Sequence, residues 1–137
     1  MDRDKALVEE IKIIQDIIKR MNGNSFMIKG WTLTLVVATL LFKVDAKMAN
    51  QVPIVFIPII LFWFLDAYYL QQERTFREMN RWIANNRLET EEHLFDFSPE
   101  RFKNNVPNLI EMTKSETVFL FYGSVSILVL IYMFFFK

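Results

Sequence analysis

Few residues of this chain have the type and spacing to do chemistry, and they fall into four groups. Asp66 stands alone inside the aromatic run FWFLDAYYL. Lys29, Thr32, Thr39 and Lys43 recur at intervals of three and four, with Val36 between, so a helix would carry them on one face. Arg74, Arg77 and Arg81 follow at i, i+3 and i+7, with Arg87 close by. Glu89, Glu92, His93 and Asp96 in ETEEHLFD can share a helical face.

The last group has the donors of a divalent-metal site, yet metal sites in helix bundles draw ligands from several helices. No second such group exists, so a solvated acidic helix end is the expectation and no metal is assigned. The chain has no Gly-rich phosphate loop, no nucleophile beside a base and no zinc spacing, and cysteine is absent. An enzyme is therefore not expected, and no cofactor is called for.

Asp66 is the costliest residue. A carboxylate at the centre of a membrane helix costs about 2.5–3.5 kcal/mol on insertion scales, and less near an end. It needs a partner. Lys29 can supply the charge, with Tyr68 or Tyr69 as a further donor; the alternative is an ion-attracting or protonatable group at a pore mouth. The Thr32–Thr39 stripe is similarly open between a pore-lining surface and helix packing in which each Thr bonds back to its own helix. The arginines have two local acids, Glu73 four before Arg77 and Glu78 four after Arg74. Two acids do not neutralise four cations. The remaining basic stretch suits anionic lipid or, projected away from a membrane, a polyanion such as nucleic acid.

The elements that must position these groups follow from how apolar residues are distributed. The chain has 137 residues, a formal net charge of zero and 14 Phe. Its apolar residues gather into three blocks separated by charged segments, the layout of an integral membrane protein. The first block follows a charged stretch of about twenty residues, so no cleavable signal peptide is expected. Within the segment 1–25, residues 2–22 read as an amphipathic helix on the stripe Leu7, Ile11, Ile14, Ile18 and Met21. Asn22-Gly23-Asn24-Ser25 reads as a stop and restart. Spans are expected over residues 26–44, 52–70 and 117–136, with Pro58 kinking the second. That second helix has no Gly or Pro from Gln71 to Phe95, and the pattern Phe76, Met79, Ile83, Leu88 predicts one helix running on into water. Residues 71–116 then form a helical brace, with a new helix opening at Ser98-Pro99-Glu100 and another running from Asn108 into the third span. Lys and Arg number thirteen on the side of the N-terminus and brace against three on the other, which predicts a cytoplasmic N-terminus and an outside C-terminus.

The stretches NSFMIKGWTLTLVVATL (24–40) and FWFLDAYYLQQERTFREM (62–79), with the amphipathic helix before them and a third span after, resemble a family of small bacterial three-span membrane proteins. That family includes the channel effector of the Hailong anti-phage defence system. The resemblance implies an all-α homotetrameric ion channel in the bacterial inner membrane, partnered by a nucleotidyltransferase. A short single-stranded oligodeoxyadenylate would keep the channel closed, and its loss would release a toxic depolarisation. Arg74, Arg77, Arg81 and Arg87 would be the ligand-binding residues; Lys29, Thr32, Thr39 and Asp66 are candidates for polar residues of the pore or membrane interior from their types and spacing alone. The acidic portion from Glu89 would repel nucleic acid at that end. A non-conducting membrane adaptor for a soluble partner is the alternative.

Overall fold

The computed structural model describes residues 2–41 and 54–135. Its elements are α1 (Arg3–Leu41), α2 (Phe56–Asn86), a 3-10 helix (Pro99–Asn105), α3 (Leu109–Thr113) and α4 (Glu116–Phe135), so every described element is helical. Lys43, the loop 45–51 and Pro53 lie outside the described residues, as do the expected ends of the first and third spans.

α1 runs unbroken for 39 residues, straight through Asn22-Gly23-Asn24-Ser25. The expected stop at Gly23 does not occur, and no glycine adopts a positive φ. A single helical Gly costs only about 1 kcal/mol relative to Ala, and the polar residues around it bind a neighbouring helix instead of capping their own. Ser25 Oγ donates to Asp66. The Asn22 amide, turned with its nitrogen towards Glu73, donates to Oε2 at 2.7 Å.

α2 begins after a short 3-10 turn, so Pro58 falls in its first turn. There the missing N–H has no helical partner to lose, and the expected kink has no cause. The helix ends at Asn86, short of the expected Phe95. The Arg87 guanidinium folds inward and takes the carbonyls of Thr90 and Glu92, each at 2.9 Å, so the chain curls over its own helix end. His93 and Phe95 complete that turn in the left-handed region, at φ 57° and 53°. The brace continues through the 3-10 helix, with Pro99 in its first turn. α3 is capped by Asn108, whose side chain accepts from the Glu111 N–H at 2.9 Å. It stops at Thr113 before α4 restarts, where one continuous helix was expected.

α1 and α2 lie antiparallel along most of their lengths, as Glu10–Arg87, Asn22–Glu73 and Lys29–Asp66 establish in turn. Two cores result. The first joins Ile14 and Ile18 of the amphipathic stripe to Phe76, Met79, Ile83 and Phe102. The second joins Val36, Val55 and Ile59 to Val118, Tyr122, Val125 and Val129 of α4. Around the second core the outer surface is itself apolar: Phe26, Leu41, Leu61, Leu128 and Phe134 are all exposed. α1 and α4 are long and apolar enough to cross a membrane. The described apolar stretch of α2, residues 56–70, is roughly 22 Å long at 1.5 Å per residue.

Candidate functional site: a polar node and a basic arm

Between the two cores lies a node of polar side chains. Asp66 is fully buried, and Lys29 Nζ lies 2.6 Å from its Oδ2. The expected pair therefore forms. Its further donor is neither tyrosine but Ser25, one turn from Lys29, whose hydroxyl donates to Asp66 Oδ1 and accepts from Lys29 Nζ at 2.8 Å. An acid on α2 is thus met by two residues of one α1 face. The third helix contributes Tyr122, whose buried hydroxyl lies beside Thr32 and Asp66. Lys29 also lies 5.8 Å from the Phe121 ring centroid, within cation–π range.

The threonine stripe divides. Thr32 is buried against the node and Thr39 is half-buried, and each donates back to the carbonyl four residues earlier at 2.8 Å. Thr34 does the same to Gly30 at 2.9 Å. Back-bonding of this kind satisfies the hydroxyl inside its own helix. Each of these hydroxyls thus donates within α1.

On the arm, Arg74, Arg77 and Arg81 are exposed on α2. Arg77 pairs with Glu73 at 2.8 Å and Arg81 with Glu78 at 2.9 Å. Glu78 takes Arg81 rather than Arg74, so among the described residues Arg74 has no acidic partner. Arg87 leaves this group. It is fully buried, with Nε 2.6 Å from Glu10 Oε1 and Nη2 3.1 Å from Oε2. An arginine held on a carboxylate and two carbonyls inside the first core has no face for a ligand.

The acidic group does not share a helical face, because α2 ends before it begins. His93 Nδ1 lies 3.7 Å from Asp96 Oδ2, and the His93 ring packs edge-on against Trp82. The Ser98 hydroxyl and backbone N–H hold Asp96 below its usual carboxylate range. Among the described residues no group of three or more acids, His or Cys is arranged to hold a metal ion.

Three contributors were missing from the sequence reading. Glu10 is an acid three residues after Leu7 and four before Ile14, inside the apolar stripe, and that position was its signal. Ser25 falls in the expected stop and restart. Tyr122 offered only a hydroxyl in an apolar run. Compared with known protein families, characterised proteins and solved structures, the chain matches none.

Proposed function

We propose that this chain is a subunit of an oligomeric membrane ion channel gated from the cytoplasm, acting as a toxic effector of anti-phage defence. One observation carries the mechanical part of the reading. α1 and α2 continue without a break from the first core into the second, and ion pairs bind them at the far end of the first core and at the node between the cores. A displacement of the arm is therefore passed to the apolar half instead of being absorbed at a hinge.

The membrane part rests on the apolar outer surface around the second core, which is unstable in water and compatible with lipid. α1, α2 and α4 supply three spans per chain, the cytoplasmic side being the one richer in Lys and Arg. Three spans enclose no pore, so conduction requires several copies; four is the number the family resemblance implies. Arg74, Arg77 and Arg81 form the ligand surface, where a short oligodeoxyadenylate made by a nucleotidyltransferase partner holds the channel closed. Arg74, with no acid of its own, carries the most available charge.

A non-conducting adaptor is the competing reading. It draws on Leu88 and Phe95, exposed at the far end of the arm, as a docking point for a soluble partner. Expression of the chain without any partner separates the two. A channel effector arrests growth with loss of membrane potential; growth at the normal rate with an intact potential favours the adaptor.

A further inference from the structure

A cleft of about 320 Å³ opens between α2 and the 3-10 helix, lined by Tyr68, Gln71, Gln72, Thr75, Glu100 and Lys103, with Pro99 at its edge. Its height in the molecule is well defined. Leu70 packs on the second core and Phe76 on the first, so the cleft spans the boundary between them. There the apolar run of α2 gives way to Gln71-Gln72.

The charges in this cleft have an unusual arrangement. Glu100 and Lys103 are three residues apart on a 3-10 helix, where positions i and i+3 eclipse. They nevertheless form no ion pair, and both are exposed. Each leaves its charge available beside the other. Tyr68 adds a half-exposed ring on the opposite wall, suited to hold an ammonium group. Arg74 does not line the cleft. The cleft thus offers one positive group, one negative group, an aromatic face and the Gln72 amide, the Gln71 amide being held by the Pro107 carbonyl.

We infer that this cleft binds the head group of a zwitterionic phospholipid, its phosphate on Lys103 and its ammonium between Glu100 and Tyr68. A purely anionic head group meets Glu100 and loses what it gains on Lys103. A zwitterion satisfies both charges, and the volume lies in the range of small-ligand sites. The inference rests on the membrane reading above, which puts the boundary between the cores at head-group level. It adds a specific lipid site that ties the brace to the bilayer where α2 emerges.

The test uses the full chain purified in an uncharged maltoside detergent, titrated with glycerophosphoethanolamine and, separately, glycerophosphoglycerol. The expected result is about tenfold tighter binding of the zwitterion, the size that two partly exposed charge contacts supply together. Lys103→Glu should weaken binding of both compounds by removing the phosphate contact, and Glu100→Lys should abolish the preference for the zwitterion. The double exchange, which restores one charge of each sign, should recover it. Circular dichroism of each variant separates lost binding from lost folding. Equal or tighter binding of glycerophosphoglycerol, binding of neither compound, or single exchanges without effect would overturn the proposal. Because the probes are water-soluble, failure here is distinct from failure of the channel reading: a protein that binds the zwitterion but does not conduct keeps the site and loses the channel.

Discussion

Nε of Arg87 lies 2.6 Å from Oε1 of Glu10, a residue 77 positions earlier, and neither side chain is exposed. This pair closes the far end of the α1–α2 hairpin and also anchors the turn that ends α2, through the carbonyls of Thr90 and Glu92. Removing one member of a buried ion pair leaves the other charge uncompensated and costs about 3–5 kcal/mol. Glu10→Ala and Arg87→Ala should each destabilise the arm by that amount, measured by denaturant unfolding of the purified protein. Replacing both by apolar residues of similar volume should cost much less. Equal losses in the single and double variants would show that the pair does not hold the arm.

At the polar node the same logic applies with a softer penalty, because Lys29 keeps some exposure. Asp66→Asn should lower thermal stability and leave Lys29 without its counter-charge. In a double-mutant cycle, Lys29→Met and Asp66→Asn should show a coupling of roughly 1–3 kcal/mol. An Asp66→Asn protein that assembles normally, is fully stable and conducts differently would contradict the structural role and return Asp66 to the pore mouth.

Gly23 tests the continuity of α1. Nothing lies within 4 Å of where its Cβ would be, and its φ is not positive. Gly23→Ala should therefore raise stability by about 0.5–1 kcal/mol, as in an exposed helix interior. A clear loss of stability would mean that the helix stops there after all.

The loop acid gives a pH prediction with a defined sign. Ser98 holds Asp96 below its usual range, so the carboxylate favours the folded loop above the unfolded pKa. That contribution fades as pH falls through the lower, folded value. Followed by NMR, Asp96 should titrate below 3.8, and Ser98→Ala should move it upward by removing the hydroxyl donor. An unchanged titration in the variant would remove Ser98 as the cause.

For the arm, the three exposed arginines should not be equivalent. Arg77 and Arg81 are each held by an acid one turn away, whereas Arg74 is not. Arg74→Ala should weaken binding of a short oligodeoxyadenylate more than Arg77→Ala or Arg81→Ala, and should reduce the salt dependence by about one ion. Unchanged binding after all three replacements would take the arm out of the account.

Much of the helical layout was legible because apolar periodicity is a local signal. The stripe from Leu7 to Ile18 and the pattern Phe76, Met79, Ile83 were readable separately, and they turn out to be the two halves of one core. Lys29–Asp66 was also readable, since a charge in an apolar run demands a partner and few were within reach. What failed was the placement of helix ends. Gly23 and Ser25 looked like a break, but tertiary partners on α2 override a weak local preference. The end at Asn86 carries no Gly or Pro; it depends on a guanidinium captured by an acid on another helix, which no local pattern reveals.

The most direct test is ion flux across vesicles containing the purified protein. The expected result is a conductance that requires more than one copy and falls when a short oligodeoxyadenylate reaches the side exposing Arg74. Vesicles that stay sealed with correctly inserted protein, or a flux indifferent to the oligonucleotide, would contradict it.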